Sequence, residues 1–162
     1  MKNQRMLDEL TELMRIDVSS GQETEIAEHL VKKLEQMGFA ITRDEAGATF
    51  GGVCGNILAV REGERDGVVC FCSHMDRVPG GIGIKPVEED GILRSSGDTI
   101  LAADDLSGVA AILEGVRQAI ESGKALPKLE ILFTVGEEAG LYGAKAFDVS
   151  LLTSKTMYVL DS

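Results

Sequence analysis

Met6, Leu7, Leu10, Leu13 and Met14 recur at three- and four-residue intervals, which predicts an amphipathic helix over residues 2–16. After a polar break, Ile26, Ala27, Leu30, Val31, Leu34 and Met37 form a second stripe. Ser20 and Glu23 have the spacing of a capping box at its start, and Gly38 is the expected stop. The segments "FAITR" and "NILAVRE" read as strands, the first of them short. "GVVCFCS" is apolar without a break, as in a strand covered on both faces. "IKPVEEDGILR" reads as a hairpin turning at Asp90-Gly91. A third helix follows in "DDLSGVAAILEGVRQAIESGKALP", with Leu106, Val109, Ala110, Leu113 and Val116 on its buried side. "KLEILFTVG" is a further buried strand, "AGLYGAKAF" a short helix and "TMYVLDS" a last strand. Strands and helices alternate, which predicts an α/β layered fold with a mostly parallel sheet. No repeat or linker divides the chain, so a single domain is expected.

Composition narrows the function. At 162 residues and 44% hydrophobic, the chain can build one core, made from aliphatic residues because aromatics are 4% and Trp is absent. A net charge of −11 argues against nucleic acid as a partner and disfavours an anionic membrane. No apolar run approaches membrane-spanning length, and "MKNQRMLDEL" is charged and amphipathic rather than a signal peptide. The three cysteines are odd in number. Cys70 and Cys72, two apart on one strand face, read as small buried hydrophobes. A cytoplasmic location is the expectation.

The acidic residues are not scattered. His74 and Asp76, in "SHMDRVPGG", lie just past the end of one predicted strand, and Glu137 and Glu138 follow another. Asp161 closes the last strand, and Asp104-Asp105 open the third helix. In open α/β sheets, ligand sites gather outside the carboxyl ends of the strands, so four segments deliver carboxylate or imidazole to one edge. Carboxylates crowded together repel unless a cation neutralises them, and imidazole with carboxylate suits zinc, cobalt or manganese. Four or five such groups suit two metals bridged by one carboxylate. In an extended segment, Asp76 shares a face with His74 and is placed to fix its ring. Glu137-Glu138 suits a division between metal ligand and base. Each piece also has a plainer reading. Asp104 or Asp105 is a candidate N-cap, Glu137-Glu138 a charged first helical turn, Asp161 a surface acid and His74 a structural histidine. The other histidine, His29, is expected on a solvated helix face.

"SHMDRVPGG", "LAADDLSG" and "GEEAGLYGAK" resemble the three signature segments of the M20 metallopeptidases, and among these the peptidase T-like tripeptidases. The resemblance implies a three-layer α/β/α sandwich of the phosphorylase/hydrolase-like kind. It implies Zn²⁺ as cofactor, two ions per full-length subunit, with Co²⁺ or Mn²⁺ as alternatives. Carried over position by position, the metal ligands would be His74, Asp104, Glu138 and Asp161, with Asp104 bridging. Glu137 would be the general base and Asp76 the acid behind the histidine. The substrate would be a short peptide, best a tripeptide cleaved from its N-terminus.

Two departures from the family pattern stand out. Leu106 occupies a position where a lysine, not a ligand, is common. The family's lid domain, used for dimerisation and substrate contact, and its second ligand histidine lie beyond the matching segments. Residues 1–162 are therefore expected to be the N-terminal portion of a catalytic domain, incomplete at its C-terminus. The missing ligand would serve the metal shared by Asp104 and Glu138, whereas His74, Asp104 and Asp161 keep their set. Such a chain is expected to be inactive alone, and to self-associate or to pair with the missing C-terminal part. The rival readings are a non-catalytic metal- or partner-binding module, and a deacylase or carboxypeptidase of the same group. Phosphoryl chemistry on Mg²⁺ is disfavoured by His74 and by the lack of a glycine-rich phosphate loop with Lys.

Overall fold

The structure, a computed structural model, describes residues 4–161. Both apolar stripes fold as helices, α1 at Gln4–Met14 and α2 at Thr24–Gln36. The expected helical residues 2 and 3 lie outside the described residues. α2 stops as predicted: Gly38 takes φ 83°, its N–H donates to Glu35, and the N–H of Phe39 donates to Leu34. The start of α2 differs from the capping-box expectation. Neither Ser20 nor Glu23 caps the helix with its side chain, because both are drawn into tertiary contacts described below.

His29 is also displaced from its expected setting. α1 packs over that part of α2, so His29 Nε2 lies 4.0 Å from Glu9 and 3.9 Å from Glu12 and has no hydrogen-bond partner. Lys33, one turn on, pairs with both acids at 2.8 Å, so this cluster is neutralised by the protein's own cation.

The strands and remaining helices are β1 Ala40–Arg43, β2 Ile57–Arg61, β3 Val68–His74, β4 Pro86–Glu89, β5 Ile92–Ser95, α3 Ala103–Glu121, β6 Lys128–Thr134, α4 Tyr142–Ala146 and β7 Met157–Val159. β4 and β5 form the expected hairpin, with Asp90 and Gly91 both at positive φ in its two-residue turn. The other five strands form one sheet in the order β1-β2-β6-β3-β7. This sheet is mixed. β6, β3 and β7 run parallel, while β2 pairs antiparallel with β6 and β1 antiparallel with β2. β2 is buried at three successive positions, Ile57, Leu58 and Ala59, so although it pairs antiparallel on both sides it is covered on both faces.

Ile57 and Ala59 of β2 and Leu129, Ile131 and Phe133 of β6 join the buried residues of α1, α2 and α3 in the main core. Leu58, Cys72 and Leu132 point to the opposite face, where Phe147 and Leu152 cover them. Among the described residues, that second layer consists of α4 and a short 3-10 turn at Val149–Leu151. Val149, Leu151, Tyr158 and Val159 stay exposed on or beside it. Cys70 and Cys72 are buried as expected, and burial pushes their thiols up to about 11 and about 12. Among the described residues, no helix is long and apolar enough to cross a membrane.

Candidate metal centre

The parallel trio decides the location of the site. β3 sits between β6 and β7, so His74 at its last position has the β6 turn on one side and the end of β7 on the other. Leu160 N–H donates to Cys72 O and extends the β3–β7 ladder toward Asp161. From the buried His74 ring, Nε2 lies 3.1 Å from Asp104 Oδ1, 3.9 Å from Asp161 Oδ1 and 4.0 Å from Glu137 Oε2. Two groupings could each hold a cation: His74 with Asp104 and Asp161, and His74 with Glu137 and Glu138. Among the described residues, no lysine or arginine pairs with any of these acids.

The crowding shows in the proton affinities. Burial, reinforced by neighbouring acids, raises Glu137 and Glu138 above the ordinary carboxylate range. For His74, burial alone acts downward. The hydrogen bond and charge of Asp76, with help from Asp104 and Asp105, outweigh it and hold the ring near 9. An imidazole facing several carboxylates, with the two glutamates raised by burial and by their acidic neighbours, makes a place chemically suited to a divalent cation.

Asp76 lies behind the ring, fully buried. His74 Nδ1 is 3.1 Å from the Asp76 backbone carbonyl and 3.4 Å from its carboxylate, so residue 76 orients the ring through both groups. The same carboxylate accepts the N–H of Glu137 at 2.9 Å, the N–H of Glu138 at 3.2 Å and the hydroxyl of Ser20 at 2.5 Å. Although burial opposes ionisation, these bonds hold Asp76 below its ordinary value.

The paired aspartates separate into two roles. Asp104 is half-exposed and faces His74. Asp105 is buried, accepts the Ser73 hydroxyl and sits with non-helical backbone just before the regular part of α3. Burial raises its pKa. Glu137 and Glu138 belong to the turn before α4 rather than to the first turn of a helix. Leu106 is buried in the main core.

Sequence reasoning missed Ser20, Glu23, Asn56 and Ser73. Ser73 sits beside His74 in the quoted motif and was legible by position. Asn56 bridges distant segments: its amide donates to Asp44 and to Gly143 O, and its oxygen accepts from Val135 N. Nothing local announces that role.

The model of the family described as Peptidase family M28 matches residues 56–161, the span that holds every acid of the site. The chain belongs to peptidase family M28. The likeness to peptidase T-type proteins is carried by relatives of this M28 chain. The crystal structure of aminopeptidase PepT from Bacillus cereus is 40% identical, with a TM-score of 0.95 over 99% of this chain and 43% of that one. A tripeptidase structure from Staphylococcus aureus is 34% identical, with a TM-score of 0.93 over the same shares. The Bacillus subtilis protein YqjE is 38% identical over 100% of this chain and 44% of its own length. The chain thus spans less than half the length of these relatives, and it has the fold of the corresponding part of the two solved structures.

Proposed function

We propose that this peptidase chain carries most of the metal-binding set of an aminopeptidase that hydrolyses short peptides, best tripeptides. The supporting observation is the ring of Asp104, Asp161 and Glu137 within 4.0 Å of His74 Nε2, with no basic partner among the described residues. The donors are one imidazole nitrogen and several carboxylate oxygens, which fits Zn²⁺, Co²⁺ or Mn²⁺. His74, Asp104 and Asp161 would hold one ion, and Glu138 with Asp104 would contribute to a second. When bound, such a cation polarises a carbonyl and acidifies water.

The remaining chemistry lies with the chain. Glu137, a quarter exposed and raised in pKa, accepts a proton from the attacking water at its carboxylate and returns it to the leaving amine. Asp76 keeps the His74 ring oriented. The surplus of negative charge attracts the ammonium end of a short peptide. A second ion has fewer protein donors than the first, so we propose that a further ligand comes from outside these 162 residues. On this reading the isolated chain binds metal without turnover.

Elemental analysis of protein purified without chelator, with tripeptide hydrolysis assayed under added Zn²⁺, Co²⁺ or Mn²⁺, tests the reading. Stoichiometric metal that disappears in His74→Ala is expected. A wild-type chain with no bound metal would overturn it. Bound metal without hydrolysis in any longer form carrying these residues would leave a metal-binding module. In a catalytically active longer form, Glu137→Gln should keep its metal and lose turnover by at least about 100-fold. Retained turnover would remove Glu137 from the base role.

A further inference from the structure

Three successive backbone amides in the turn after β6 all end on buried carboxylates. Gly136 N–H donates to Glu23 Oε1 at 3.0 Å, and Glu137 and Glu138 N–H donate to Asp76. Glu23 Oε1 also accepts the N–H of Gly21 at 2.8 Å, and Ser20 donates its hydroxyl to Asp76. The loop between α1 and α2 therefore grips, through Glu23 and Ser20, the turn that presents the two site glutamates.

Stability alone does not account for Glu23. Its side chain is fully buried, its second oxygen has no partner, and desolvation raises its pKa. Burying a carboxyl with an unsatisfied oxygen is costly. Nor does the side chain cap α2. What it does hold is the peptide entering Glu137, at Gly136, whose φ is 58° and where an added Cβ would meet the Phe50 ring.

We infer that Glu23 and Ser20 are positioning residues for Glu137 and Glu138, acting through the backbone amides of residues 136–138. The inference rests on the metallopeptidase reading above. The direction of each clamped N–H sets the backbone on which the two carboxylates are mounted. A site of this kind requires its groups to be held within about half an ångström of the working geometry. Ser20 fills the remaining acceptor position of Asp76 and so ties the histidine side of the site to the same loop.

The test combines amide exchange by NMR with Co²⁺ titration, in wild type, Glu23→Leu, Glu23→Gln and Ser20→Ala, at a temperature where each is folded. In wild type, the amides of residues 136–138 should exchange about 100-fold or more slowly than exposed loop amides. Glu23→Leu should speed exchange at these three amides while α3 stays protected, and should weaken Co²⁺ binding by about tenfold or more. Glu23→Gln keeps an acceptor oxygen and should restore both readouts. If Glu23→Leu does not fold, Ser20→Ala decides, through faster exchange at Glu137 and Glu138 and weaker Co²⁺ binding.

Fast exchange of these amides in wild type would overturn the inference. So would variants that melt earlier yet keep wild-type Co²⁺ affinity and exchange at residues 137 and 138. A wild type that binds no Co²⁺ would sink the metallopeptidase reading instead, while the exchange data would still show whether the loop holds the turn.

Discussion

Arg77 is fully buried three positions after His74, and its guanidinium donates to Ile16 O at 2.9 Å, Gly81 O at 3.0 Å, Met14 O at 3.4 Å and Leu13 O at 3.5 Å. It thereby supplies donors to carbonyls at and just past the C-terminal end of α1, where positive charge is also favoured. Gly81 is required beside it, since an added Cβ would collide with the arginine stem. Arg77→Met should destabilise the fold by about 2–4 kcal/mol in urea unfolding, because those carbonyls lose their partner. A loss below about 1 kcal/mol would contradict this role. Gly108 is a second tight position: a Cβ there would stand 2.5 Å from Asp105 Oδ1 and 2.7 Å from Leu160 O. Gly108→Ala should cost about 1–3 kcal/mol by forcing α3 away from β7, measurable in the same unfolding experiment.

At the level of elements, α1 and α3 are joined by Arg5, which pairs with Glu114 at 2.8 Å and with Glu121 at 2.7 Å. Glu9 extends this network, binding Arg117 at 3.0 Å and Lys33 at 2.8 Å across three helices. The hydrogen bond from Arg5, aided by Gln118 and Arg117, lowers Glu114 to about 2. A folded value below the unfolded one contributes stability that is complete above about pH 4.5 and disappears as pH falls toward 2. Arg5 is half-exposed, so salt should weaken the contribution. Urea midpoints measured from pH 5 to pH 2 should fall more steeply for wild type than for Glu114→Gln. Parallel curves would show that the pair does not report on folding.

Across the whole molecule, the consequence of placing β3 between β6 and β7 is that acids from residues 104, 137, 138 and 161 converge on one histidine. Their mutual repulsion should be relieved by a bound cation, which stabilises the native state according to its free concentration. Added Zn²⁺ or Co²⁺ should therefore raise Tm in a concentration-dependent way, and His74→Ala should abolish the rise. An equal rise in the variant would place binding elsewhere. The match to the Bacillus cereus structure, with a TM-score of 0.95, shows that this strand arrangement is shared with a longer peptidase.

Apolar periodicity along the chain determined the helices, the hairpin and the strands. It also placed His74, Asp76, Asp104, Glu137, Glu138 and Asp161 at element ends, because burial patterns are local and repeat every two or 3.6 residues. Tertiary structure alone decided the strand order, the antiparallel edge of β1 and β2, and which aspartate faces His74 and which turns inward to Ser73. It diverted Ser20 to an acid 56 residues away and Glu23 to an amide 113 residues away, where local spacing had suggested only a helix cap. It also set the half-buried His29 beside the acids of α1 and buried Arg77 against that helix's end. These outcomes depend on which distant groups compete for each donor or acceptor once the layers close, and no short stretch of sequence contains that competition.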